Sequence, residues 1–201
     1  MFVRPVISDE YSCSHLLGLY IGDGRLESTS RGHRLRFDFD AAYPGIVDDA
    51  EASMTLLTMG RQVGRRVGPG PSGTITDTTW TGWPALLPRA GPGRGNERPT
   101  ALAPWQQAIV DREPEAFLRG LIESDGCRVI TRSKTRLPSG RVAAYAYPRY
   151  FFSNPSADIR GLFCASCERI GVRWTQSNPR NISVAHRDSV ALLDTFVGPK
   201  A

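Results

Sequence analysis

Leu16-Leu17-Gly18-Leu19-Tyr20-Ile21-Gly22-Asp23-Gly24 and Leu118-Arg119-Gly120-Leu121-Ile122-Glu123-Ser124-Asp125-Gly126 agree at Leu, Gly, Leu, Asp and Gly, with a small residue before each Asp. The two acids stand 102 positions apart in a chain of 201. A pattern that returns once at half the chain length is the mark of an internal repeat. Both copies begin as helices do. Ser8 or Asp9 can cap the first, while Pro114 suits the opening position of the second, with Glu115 in its first turn. Both end at Asp-Gly, where Gly24 and Gly126 fit the left-handed position past a helix end.

The flanking sequence repeats the same order. Leu35, Phe37 and Phe39 alternate with Arg34, Arg36, Asp38 and Asp40, a strand with one buried and one solvated face. In the second half, residues 127–132 and 143–153 read as a long hairpin around a polar loop at 133–141. Helical patterns follow at 43–57 and 156–170. Extended pieces then lead into short helices, at 74–81 and 83–87 in one half and at 181–185 and 189–197 in the other. Each half thus reads as helix, two strands, helix, two strands, helix. Gly and Pro crowd residues 88–104 (PRAGPGRGNERPTALAP), which predicts a connector. The expected organisation is a first repeat over 10–88, a linker over 89–104 and a second repeat over 105–198.

Gly18 and Gly22 lie four apart on one helix face, as do Gly120 and Ser124. Glycine inside a helix costs about 1 kcal/mol relative to alanine, and close approach of two backbones is the usual compensation. The steric argument known for small-xxx-small helix pairs carries over to a soluble core. Asp23 and Asp125 stand where the helix dipole is negative and a carboxylate is disfavoured. If the helices pack side by side, both acids emerge together and repel unless cations lie between them. Magnesium prefers a few carboxylate oxygens plus substrate phosphates. Two carboxylates, metal and phosphate describe phosphodiester hydrolysis. A single Asp-Gly after a helix is ordinarily a turn, and the repetition makes this one a candidate site.

Composition sets outer bounds. At 40% hydrophobic and 22% charged the chain is neither disordered nor fibrous. No apolar run approaches the roughly 20 residues of a membrane span, and Met1 to Pro5 lead to Asp9 and Glu10 rather than to a signal peptide. A cytoplasmic location, no membrane partner and reduced thiols at the four Cys are expected. Lys and Arg number 25 against 20 Asp and Glu. Only Lys134 and Lys200 are lysines. The arginine bias reflects either coding composition or phosphate gripping by guanidinium groups.

The two segments resemble the LAGLIDADG motif of homing endonucleases, in the form with two motifs in one chain, and the likeness covers nearly all of residues 10–198. The resemblance implies an α+β fold of two αββαββα repeats related by pseudo-twofold symmetry. They pack through the two motif helices (Gly18, Gly22, Gly120, Ser124), and their antiparallel sheets form a saddle over double-stranded DNA. A monomer is implied, with Asp23 and Asp125 sharing two or three Mg2+ ions with DNA phosphates and the carbonyls of Gly22 and Ser124 approaching the metal. The sixth motif position departs, being Ile21 in one copy and Glu123 in the other, while the eighth is intact. Family members also place a basic or polar side chain near the scissile phosphate. His186 and Arg187 fall in that region of the second half, and Thr78, Thr79 and Thr81 in the first. DNA contacts would come from Arg25, Arg31, Arg34, Arg36, Arg128, Arg132, Lys134, Arg136 and Arg141, some to phosphates and a minority to base edges.

The implied activity is site-specific double-strand DNA cleavage by a mobile-element endonuclease. The alternative is a DNA- or RNA-binding protein of the same fold that no longer cleaves, such as a transcriptional regulator or an intron maturase. Both acids are retained, and a regulator would be expected to add a helix-turn-helix for which there is no spare length. Elsewhere, Cys164 and Cys167 join Phe163 and Ile170 in an apolar helix stripe, which reads as core rather than zinc. His15 reads as a helix-surface residue, His33 as part of a hairpin turn, and the four Trp as packing residues.

Overall fold

A computed structural model describes residues 7–68, 73–87 and 100–200. The first half contains α1 (Glu10–Asp23), β1 (Arg25–Thr29), β2 (Gly32–Asp40), α2 (Pro44–Leu57), β3 (Gly64–Val67), β4 (Gly73–Trp80) and α3 (Trp83–Leu86). The second contains α4 (Pro104–Arg112), α5 (Pro114–Asp125), β5 (Gly126–Arg136), β6 (Val142–Ser153), α6 (Ala157–Arg169), β7 (Thr175–Asn178), β8 (Asn181–Val184) and α7 (Arg187–Phe196). Each half builds one four-stranded antiparallel sheet, ordered β1-β2-β4-β3 and β5-β6-β8-β7. The α+β fold of two αββαββα units expected from the sequence is present, and the two sheets share one topology. The helix α4 was not anticipated. Pro104, placed in the connector by composition, opens it, and the Gln106 side chain caps it by accepting from Ala103 N–H at 2.7 Å. Residues 89–99 of the expected linker lie outside the described residues.

The motif helix α1 is buried from Ser12 to Tyr20, so it has no solvated face to make it amphipathic. Asp9 caps it, accepting from Tyr11 N–H at 3.2 Å and Ser12 Oγ at 2.6 Å. Its partner α5 crosses it at the paired glycines. A Cβ on Gly18 would lie 2.9 Å from Leu121 N and would fall onto the Phe117 carbonyl oxygen. One on Gly120 would lie 2.8 Å from Leu19 N and would fall onto the His15 carbonyl oxygen. Backbone touches backbone at both positions, which offsets the helix-propensity cost of glycine. Ser14 Oγ also donates to the Glu113 carbonyl at 2.8 Å, and Arg112 grips Glu10 through two bonds of 2.7 and 2.6 Å.

The terminal glycines act differently from expectation. Gly24 (φ −73°) and Gly126 (φ −113°) are extended, not left-handed. The strand follows the helix with no intervening turn, and this folds the glycine back on its own last turn. A Cβ at Gly24 would press on Tyr20, and one at Gly126 on Ile122.

Both sheets turn one face to the helices. Leu35 and Phe37 in the first, and Tyr150, Phe152, Ile182 and Val184 in the second, are buried there, with Phe152 stacked on Phe163 at 4.4 Å. The opposite faces are open. The second hairpin is longer than expected, because much of the polar loop at 133–141 continues the strands, and Arg136 pairs with Val142. His33 lies within β2, opposite Ser28 and Trp80, rather than in the turn.

Gly120→Ala should therefore cost about 3 kcal/mol, the upper end of overpacking penalties, and lower Tm by roughly 6–12 °C. Gly161→Ala, in α6 with open space around it, should instead stabilise by about 0.5–1 kcal/mol. Thermal unfolding of the two variants checks both signs, and equal effects would refute the close-approach account.

Candidate metal and nucleic-acid site

Because α1 and α5 touch along their glycine faces, their last residues emerge at one end. A Cβ on Gly22 would collide with the Ser124 side chain and lie 3.2 Å from Asp125 Oδ2, so the acid of the second half sits over the motif glycine of the first. Asn154 Nδ2 donates to Asp125 Oδ2 at 2.6 Å. Lys200 Nζ donates to the Glu123 carbonyl at 2.7 Å. A cleft of about 160 Å³ opens beside α1, lined by Asp23, Asp38, Asp40, Tyr43, Ser124 and Lys200 among others.

The electrostatics follow from this crowding. Burial pushes the Asp125 carboxyl up to about 6; the Asn154 hydrogen bond works against the rise and the charge of Asp23 adds to it. Asp23 is also raised, by burial first, with Lys200 and Arg25 opposing and Asp38 adding. The residue as a whole is exposed, so the shift carries little stability. Burial lowers Lys200 below its ordinary value, against the pull of Asp23 and the other acids. Two carboxylates are thus held together at helix ends that disfavour charge, a donor set that fits a divalent cation. The last carbonyls of each helix, including Gly22 and Ser124, have no partner within the helix and can add oxygen ligands. Among the described residues no group of three or more His, Cys, Asp or Glu is placed to hold a metal ion. A bound ion would therefore rely on this pair, on carbonyls and on oxygens from substrate and water.

Just beneath the site lies a buried polar network. His15, read as a surface residue, is 2% exposed. It is fixed by Glu123 Oε2 at 2.7 Å from Nε2 and by Ser53 Oγ at 3.0 Å from Nδ1. Glu123 also accepts from Arg119 Nε at 2.8 Å, and Arg119 reaches Asp49 on α2. Arg119 and His15 hold the Glu123 carboxyl below its usual range against its burial. The departure at the sixth motif position thus ties α5 to α1 and α2.

His186 and Arg187 sit elsewhere. His186 lines a cavity with Arg173, Trp174 and Thr175, bonded to Arg173 at 2.9 Å, and Arg187 lines another with Val190 and Asp194. Neither belongs to the cleft beside Asp23, where Lys200 is the lining cation. Thr78 is buried on the helix side of its sheet. The sequence did hold a signal for Lys200, since it is one of two lysines in an arginine-rich chain. Asn154 and Asp38 had none.

The predicted DNA contacts divide unevenly. Arg25, Arg34 and Arg36 lie on the open face of the first sheet, with Arg31 in its turn, but Arg25 and Arg36 are tied to Asp38 at 3.6 and 2.7 Å. Arg128 faces the helices and binds Asp194 at 2.7 Å. Arg132, Lys134 and Arg136 share its strand face farther out, where they are exposed, and Arg141 closes the turn. Arg149, which the sequence reading passed over, lies on the open face, with its guanidinium 5.6 Å from the Tyr147 ring and 5.5 Å from the Phe151 ring.

No family model and no curated protein matches the chain. Solved structures do. The chain is similar to full-length DUF199/WhiA from Thermatoga maritima, at 14% identity and a TM-score of 0.58, covering 97% of this chain and 57% of that one. It therefore spans little more than half the length of that protein. It is also similar to I-DmoI, solved with DNA and Mn, at 12% identity and a TM-score of 0.55, over 94% of this chain and 97% of that one. A third match is the LAGLIDADG meganuclease I-AabMI, bound to uncleaved DNA, at 9% identity and a TM-score of 0.55, over 92% and 82%. At these identities the likeness is one of fold, and the fold is that of the LAGLIDADG proteins.

The Asp125 shift has a signed consequence. Its folded value lies above the unfolded 3.8, so the folded chain binds the proton more tightly and loses stability as pH rises from about 4 to about 6. Asp125→Asn removes that loss, and its amide carbonyl can still accept from Asn154. Without metal or DNA, its Tm should match the unaltered chain near pH 4 and exceed it by roughly 4 °C or more at pH 8. A lower Tm at pH 8 would contradict the placement of this carboxylate.

Proposed function

We propose that the chain is a divalent-metal-dependent endonuclease acting on double-stranded DNA. The observation that carries this reading is the convergence of Asp23 and Asp125, one from each repeat, at the end of a shared helix interface. The fold likeness to I-DmoI, solved with DNA and Mn, and to DNA-bound I-AabMI supports both the partner and the use of a divalent ion. When bound, Mg2+ would activate water and stabilise the leaving oxygen. The protein's own part is to hold the two carboxylates and the adjacent carbonyls in place through the glycine contact, with Asn154 orienting Asp125. Lys200 takes the role first assigned to His186 or Arg187. One of its three N–H donors is used by the Glu123 carbonyl, which anchors the ammonium at the lip of the cleft. The remaining donors are available to a phosphate oxygen as negative charge develops.

A second reading, binding without cleavage, is favoured by the match to WhiA, a protein not named as a nuclease. One experiment separates the two. Incubation with a randomised duplex library and Mg2+ should give discrete cleavage. Asp23→Asn or Asp125→Asn should abolish it while sparing binding, and Lys200→Ala should slow it about 100-fold, the scale of losing one preorganised donor. Specific binding with no metal-dependent cleavage would replace the nuclease reading with the second one.

A further inference from the structure

The two sheets share a topology but not an electrostatic character. In the first, nearly every strand arginine already has a carboxylate. Arg25 and Arg36 bind Asp38, Arg65 binds Glu51 at 2.6 Å, and Arg66 binds Asp77. Arg34 stands opposite Glu27 in the register. The second sheet contains no Asp or Glu in any strand. Its hairpin carries Arg128, Arg132, Lys134, Arg136, Arg141 and Arg149, and of these Arg128 alone has a carboxylate partner among the described residues. The strands of this hairpin are 11 and 12 residues long, against 5 and 9 for β1 and β2. Its outer part is solvated on both faces, with Tyr145 49% and Val142 58% exposed. Arg149 is held between two rings, so little side-chain freedom is left to lose on binding.

We infer that the halves divide the work of holding DNA: the β5–β6 ribbon supplies the phosphate contacts that set affinity, and the first sheet, neutralised by its own acids, supplies few. A polyanion gains from a cation only what remains after competing carboxylates are displaced, and each displaced acid would then face the phosphates. Apart from Arg128, held by Asp194, the ribbon's cations meet no such competitor among the described residues, which makes them the ones able to release counterions from a duplex. The inference rests on the double-stranded DNA reading above.

The salt dependence of binding to a mixed-sequence 30-base-pair duplex tests it, measured by fluorescence anisotropy without divalent metal. Each phosphate contact contributes about 0.9 to the slope of log K against log salt. The combined change Arg132→Ala, Lys134→Ala, Arg136→Ala should flatten the slope by about 2–3. The combined change Arg25→Ala, Arg34→Ala, Arg36→Ala, equal in charge, should flatten it by less than about 1. Asp77→Asn, which frees Arg66, should steepen it. Thermal unfolding of each variant confirms that it is folded at the assay temperature. Equal flattening by the two triple changes would overturn the division of labour while leaving the DNA reading intact. No binding by the unaltered chain, or binding only to duplex RNA, would overturn the DNA reading and this inference with it.

Discussion

The contact of α1 with α5 at Gly18 and Gly120 governs everything else in the molecule. Both helices are largely buried, and at the paired glycines they meet through atoms of the main chain. Such a contact is unforgiving, because a methyl group at either glycine would meet a carbonyl oxygen. It also sets the geometry closely. With no flexible side chain between the backbones, the ends of the helices are fixed relative to one another, and so are the acids they carry. Two four-stranded sheets, one from each half, flank this one crossing.

That precision brings an electrostatic cost. Asp23 and Asp125 come together at two negative helix ends, and burial lifts Asp125 into the range near 6. The surroundings relieve the strain only in part, through the amide of Asn154 and the ammonium of Lys200. The latter leans on the Glu123 carbonyl. The network of His15, Glu123, Arg119 and Asp49 braces the final turn of α5 from below. Charge concentrated where burial and helix ends disfavour it is what marks this pair as a candidate site.

Much of this was legible in the sequence because repetition and periodicity are local. The two motifs, the alternation at Leu35, Phe37 and Phe39, and the proline at position 114 fixed the elements and their order. Long-range partners were not legible. Nothing local to Asn154 says that it meets Asp125, and nothing local to His15 says that Glu123, 108 positions away, will draw it into the core. The glycines after each motif were assigned the wrong backbone region because a left-handed turn and an extended chain folded over the last helical turn both demand glycine. His186 and Arg187 were read by resemblance as lying near a scissile phosphate, and nothing local to Lys200, beyond α7, says that it lines the cleft beside Asp23. The unequal charge of the two sheets was written in the sequence throughout. It emerged only when register showed which arginines already had partners.

The central claim is that two carboxylates from opposite halves of the chain share one electrostatic environment. Titration of the side-chain carboxyl of Asp125 by carbon NMR, without metal or DNA, tests it most directly, in the unaltered chain and in Asp23→Asn. The account predicts a midpoint of about 6 that falls when Asp23 is neutralised. An ordinary carboxylate midpoint in both proteins, unmoved by the substitution, would mean that the two acids do not meet and that the site does not exist as described.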